Sequence, residues 1–96
     1  MATGRTSQQK GFHDDRYRAL VGTLVEARKA AGLSQGALAD RLDRHQQFVS
    51  RYETGERRLD VVEFIDIARA LSIDPAAAVS NVSTKLQTTE VLEKNA

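Results

Sequence analysis

Two adjacent amides, Gln46 and Gln47, with Ser50 and Arg51 one turn further on, are the residues of this chain whose types and spacing best suit a recognition chemistry. A glutamine amide donates and accepts at once, so it can pair with N6 and N7 of adenine in the major groove of DNA. Neighbouring glutamines would then address neighbouring bases. Arg51 can reach O6 and N7 of guanine, or hold a phosphate. In most chains such glutamines are ordinary polar members of a first helical turn, so the surrounding residues must decide.

Those surroundings read as two short helices and a tight turn. Ser34 is a good N-cap, and Leu38, Ala39 and Leu42 follow at inward helical spacing, which predicts a helix over 35–42. Asp43, Arg44 and His45 interrupt the apolar pattern. A second helix resumes at Gln46, with Val49 and Tyr52 one turn apart on its inward face. The opposite face carries Gln46, Gln47, Ser50 and Arg51. A helix pinned by two residues would thus hold amide and guanidinium groups outward.

The pattern GLSQxxLAxxL followed by QxxVSxxExG resembles the Cro/CI-type (XRE-like) helix-turn-helix of phage repressors and related bacterial regulators. It rests on Gly32, Leu33, Ser34, Gln35, Leu38, Ala39, Leu42, Gln46, Val49, Ser50, Glu53 and Gly55, and continues through ERRLDVVEFIDIARALSI, covering about Tyr17 to Val79. The resemblance implies an all-α, five-helix lambda-repressor-like DNA-binding domain whose helices 2 and 3 form the helix-turn-helix. It implies base reading by Gln46 and Gln47, as glutamines at the equivalent place do in some phage repressors, with Arg51 beside them. It also implies that Arg28 pairs with Glu53; if that pair is buried, removing one partner costs roughly 3 to 5 kcal/mol. Three residues depart from the pattern: Asp43 where glycine is usual, Arg44 where a small or apolar residue is commoner, and Glu56 where lysine is frequent. Asp tolerates a left-handed backbone better than most residues.

Backbone contacts are expected around the reading helix. The N-terminus of helix 2, with Gln35 and free amides, presents a positive end to phosphate. Arg57, Arg58 and the exposed amide of Gly55 would grip the far side of the groove, with Ser50 and Arg44 as further backbone contacts. Phe48 has two uses open to it, packing over the turn or touching a thymine methyl. His45 is expected to cap the reading helix or to neighbour a phosphate.

The rest of the chain narrows the alternatives. Ninety-six residues with 41% hydrophobic content suffice for one small core. No cysteine is present, so disulfides and thiolate metal sites are excluded and a reducing cytoplasm is the expected compartment. No apolar run approaches the length of a membrane span. The net charge of +1 says little by itself. Its distribution says more: Arg41, Arg44, Arg51, Arg57 and Arg58 gather in one stretch while Asp60, Glu63 and Asp66 follow on the next helix, which predicts a basic face with an acidic back. Enzymatic function is not expected, since His13 and His45 are the only histidines and no phosphate loop or paired carboxylate is present. His13 with Asp14 and Asp15 is a poor candidate for a metal grip. No cofactor or metal is expected.

In chain order, residues 1–13 read as a flexible arm, a leader or a basic extension through Arg5 and Lys10. The domain follows over 14–82. Asp14 or Asp15 caps a first helix over 16–31 with Tyr17, Leu20, Leu24, Ala27 and Ala31 inward, and Gly32 ends it in left-handed conformation. Asp60 and Glu63 form a capping box for a fourth helix whose inward stripe is Val61, Phe64, Ile65, Ala68 and Leu71, with Val62 and Ile67 partly off it. Asp74 and Pro75 start a fifth, over 75–82. Residues 83–96 are a polar tail with Leu86, Val91 and Leu92 as its only sizeable apolar groups. The expected function is sequence-specific binding of double-stranded DNA, as a transcriptional regulator and most simply a repressor, by a homodimer on a palindromic operator. Helix 5 with the C-terminal region is the expected dimer surface through Ala76, Ala77, Ala78 and Val79; the alternative is that this face simply closes the monomer core. The competing reading is an antitoxin or other module acting chiefly through a protein partner bound by its tail.

Overall fold

The structure is a computed structural model and describes residues 14–83. Helices α1 (Asp15–Ala30), α2 (Gln35–Arg41), α3 (Gln46–Thr54) and α4 (Val61–Ala70) are followed by α5, which occupies 75–83 of the described chain. No strand occurs among the described residues, and the fold is all-α. The expected arm over 1–13, with His13, and the tail beyond 83 lie outside the described residues.

Each helix begins on a side chain able to cap it, except α3. Asp14 accepts from the Arg16 amide at 2.8 Å, and Ser34 Oγ accepts from the Ala37 amide at 3.0 Å. At α4 the Asp60 carboxylate accepts from the Glu63 amide at 2.7 Å while Glu63 accepts from the Asp60 amide at 3.0 Å, a complete capping box. Asp74 accepts from the Ala76 amide at 3.0 Å to start α5. His45 occupies the N-cap position of α3 but makes no side-chain cap bond.

The helix ends repeat one device three times. Gly32, Asp43 and Ser72 adopt positive φ of 73°, 55° and 59°. The next amides, of Leu33, Arg44 and Ile73, then reach back to the carbonyls of Arg28, Ala39 and Ala68 at 3.1, 2.9 and 2.9 Å. This is the Schellman closure, which satisfies helix-end carbonyls and turns the chain sharply. Asp43 therefore does what glycine would do in the helix-turn-helix bend. Ser72 does so at the end of α4, without the self-evident glycine signal.

The core gathers Val21 and Leu24 of α1, Leu38 and Ala39 of α2, Phe48, Val49 and Tyr52 of α3, Phe64, Ile67 and Ala68 of α4, and Leu71 and Ala78. Three expectations need correction. Ala31 is exposed because α1 ends before it and the closure at Gly32 turns the chain away. In α4 the inward set is Phe64, Ile67 and Ala68, with Leu71 at the C-cap, while Ile65 is half-buried and Val61 and Val62 are 74% and 65% exposed. Both stripes have helical spacing, but Val61 lies in the first turn, beyond the edge of the core, so rotation towards Ile67 buries more. On α5, Ala78 is buried and closes the monomer core, whereas Ala76, Ala77 and Val79 remain exposed. Tyr17 reaches across the molecule: its hydroxyl accepts from the Leu59 amide at 2.9 Å and its ring lies 4.3 Å from the Arg58 guanidinium carbon, fixing the loop between α3 and α4. No helix among the described residues is long and apolar enough to cross a membrane.

Candidate nucleic-acid interface

Helix α3 shows two unlike faces. Val49 and Tyr52 are fully buried, and Phe48 joins them at the core margin, its ring edge-on to Tyr52 with centroids 5.5 Å apart. Gln46, Gln47 and Arg51 are exposed, and Ser50 is half-buried between the faces. Gln46 leans towards the first turn of α2: a Cβ added to Gly36 would stand 3.4 Å from its Oε1. Packing claims Phe48, so the thymine-methyl use is set aside.

Beneath this face sits an ion pair. Arg28 Nε donates to Glu53 Oε2 at 2.7 Å and Nη2 to Oε1 at 3.0 Å, while Nη1 donates to the Leu33 carbonyl at 2.8 Å. The side chains of Arg28 and Glu53 are only 11% and 7% exposed. The hydrogen bonds to Glu53 hold Arg28 more firmly protonated than an ordinary arginine. Gln35 Nε2 donates to Glu53 Oε1 at 2.9 Å. One carboxylate at the end of α3 therefore ties down the end of α1, the turn after it and the start of α2. The Gln35 amide was expected on a phosphate; one of its two NH2 hydrogens is engaged here instead, because Glu53 offers a desolvated full charge close by.

A second cluster lies at the turn end of α3. Arg57 Nη1 and Nη2 donate to Glu63 Oε1 and Oε2 at 3.0 and 2.8 Å, and Arg44 Nη2 stands 3.5 Å from the same Oε2. Both guanidinium carbons approach the Phe48 ring, at 4.2 Å for Arg44 and 4.9 Å for Arg57. The Arg57 hydrogen bonds, aided by the Asp60 amide and the Arg57 and Arg44 charges, pull the Glu63 carboxyl from 4.5 down to about 2 against the opposing cost of burial. The expected acidic back is thus incomplete. The capping box turns Glu63 towards the arginines, so one of its three acids joins the basic face.

Other expected backbone contacts change in detail. The Gly55 amide donates to the Tyr52 carbonyl at 3.3 Å, as the left-handed C-cap of α3 with φ 87°, and is not free to meet a phosphate. The next bond, from the Arg57 amide to the Arg51 carbonyl at 3.0 Å, seats Arg57 beside α3. Glu56 is exposed and Arg58 stacks on Tyr17. The structure brings Arg44, Arg57 and α3 together and sets Arg58 on the Tyr17 side. Glu63 was missed as part of this site; its spacing to Asp60 signalled a cap, and nothing in the sequence signalled the arginines. Among the described residues no group of three His, Asp or Glu side chains is placed to hold a metal ion.

Comparison with known proteins agrees with this geometry. The helix-turn-helix family model HTH_3 matches residues 24–77. A solved structure, an XRE-family like protein from Pseudomonas syringae pv. tomato str. DC3000, is 49% identical, covers 81% of this chain and 95% of its own, and superposes with a TM-score of 0.73. No curated protein matches. Exposed amides on a helix anchored by its buried face, the family match and the solved relative lead to one conclusion: the chain belongs to the XRE family of helix-turn-helix proteins, non-enzymatic DNA-binding regulators of transcription.

Proposed function

We propose that this protein represses transcription as a homodimer that occupies a palindromic operator, reading bases with Gln46, Gln47 and Arg51 in the major groove. The observation that carries the reading is the division of α3. Val49 and Tyr52 are 0% exposed while the three polar side chains, on the other side of the same helix, face solvent. An α-helix fits the major groove, and amides and guanidiniums are the groups that pair bidentately with adenine and guanine there.

Phosphates flank the reader. Arg44 and Arg57 serve one side, with Arg58 and Ser50 nearby, and the start of α2 with Gln35 and its backbone amides serves the other. One domain reads too few base pairs to select a site in a genome, and a dimer doubles them with half-sites about 10 bp apart or a multiple. The exposed Ala76, Ala77 and Val79 of α5 support a dimer surface there. Such a regulator works in the cytoplasm.

Selection of duplexes from a random pool tests the reading. The parent should enrich a palindrome, Gln46→Ala, Gln47→Ala and Arg51→Ala should change base preference at defined positions by about 1 to 3 kcal/mol each, and Arg57→Ala should weaken all sequences alike. A parent that enriches no common sequence, or glutamine variants that enrich the parent's, would remove α3 as the reading head.

A further inference from the structure

We propose that Glu63 is a positioning residue for DNA binding: it joins Arg44 and Arg57 into one clamp for a backbone phosphate and limits how tightly that clamp holds DNA of any sequence. The proposal rests on the DNA-reading role of α3 given above.

The carboxylate is the fixed member of the group. Its own helix holds it through the Asp60 amide, and its side chain is 11% exposed. The two guanidiniums are the open members, 42% exposed for Arg44 and 41% for Arg57. Both meet the same carboxylate oxygen and both lie against Phe48, the residue that follows Gln46 and Gln47 on α3. The cations are therefore held close together, within a turn of the base-reading positions. Left alone, two guanidiniums so placed would repel and swing apart into solvent; the shared carboxylate and the ring keep them convergent.

The hydrogen-bonding pattern leaves room for an anion. Arg57 gives Nη1 and Nη2 to Glu63, and its Nε–H with the outer hydrogens remains for another acceptor. Arg44 makes one long contact with Glu63 and keeps most of its fork. A phosphate oxygen between them would complete charge-assisted bonds to both arginines. Two cations against one anion leave a single net positive charge. The carboxylate therefore also restrains the sequence-independent attraction, which depends on charge alone, while preserving the geometry that places α3 in register.

Binding of the full chain to a selected duplex and to an unrelated duplex of equal length, over a salt series, tests this. Glu63→Gln should bind the unrelated duplex about 3- to 10-fold more tightly near 0.1 M salt and steepen the salt slope by up to about one. The preference for the selected duplex should fall by a similar factor. Glu63→Asp should bring slope and preference back towards the parent, and Arg44→Ala should remove the gain made by Glu63→Gln. Arg44→Ala alone keeps the Arg57–Glu63 bonds and should flatten the slope by about one, which serves if Glu63→Gln fails to fold. Parental slope and preference in folded Glu63→Gln, or a parental slope in Arg44→Ala, would overturn the clamp while leaving α3 as reader. A parent that binds no duplex at all would end the DNA reading, and the clamp with it.

Discussion

Two arginine–carboxylate clusters border α3, alike in bond lengths and unlike in surroundings. Around Glu53, Arg28 is nearly enclosed, and its hydrogen bonds run to Glu53 and to the Leu33 backbone, while Gln35 adds a third donor to the carboxylate. Around Glu63 the carboxylate is enclosed but the guanidiniums of Arg57 and Arg44 are about two-fifths exposed. In the first, water cannot replace a lost partner, so the cluster acts as a staple among three helices. In the second, water or a phosphate can take over each arginine's bonds. Bond geometry alone does not separate the two clusters; the exposure of the cation does.

The sharpest way to break this contrast is to remove one arginine from each cluster. Arg28→Ala strands the Glu53 charge just beneath the surface and should cost roughly 3 kcal/mol, the lower end for buried pairs, as a shift in urea midpoint. Arg57→Ala leaves Glu63 with the Asp60 amide and Arg44, and should cost less stability than Arg28→Ala while weakening DNA binding. Equal losses of stability would mean that exposure does not separate the clusters.

Acid sharpens the contrast further. The Glu63 carboxyl is held at about 2 in the fold against an ordinary 4.5. A carboxylate whose pKa is lowered by folding stabilises the fold above its ordinary pKa, and that contribution drains away as pH falls from about 4.5 towards about 2. Glu63→Gln should therefore flatten the fall of unfolding free energy across that window. A curve that retains the parent's slope there would place the protons elsewhere.

The smallest effect concerns Tyr52, beside Glu53. Its ring is fully enclosed, its hydroxyl finds no hydrogen-bond partner among the described residues, and burial drives its phenol pKa well above the usual value. An unsatisfied buried hydroxyl costs free energy, so Tyr52→Phe should leave stability within about 1 kcal/mol of the parent, or raise it. A loss beyond about 1 kcal/mol in thermal melts would show the hydroxyl bonded after all.

Local signals account for what was legible. Caps at Ser34, Asp60 and Asp74, the apolar spacing of Leu38, Val49 and Tyr52, and left-handed ends at Gly32 and Asp43 each depend on residues within a turn of one another, so they can be seen in one dimension. The inward stripe of α4 could not, because Val61 and Ile67 both fit a helical period and only the reach of the core decides between them. The bend at Ser72 was hidden for a related reason, since serine adopts a left-handed backbone only where the surrounding packing compels it.

By itself the chain specified an all-α helix-turn-helix, with its second helix beginning at Gln46, since short-range capping and periodicity encode that much. Folding alone decided that Glu63 would turn from cap to arginine partner, that Gln35 would serve Glu53, and that the Gly55 amide would close α3. Each of these depends on which charges and donors meet across helices after water is expelled, a competition between desolvation and pairing that spacing along the chain does not record.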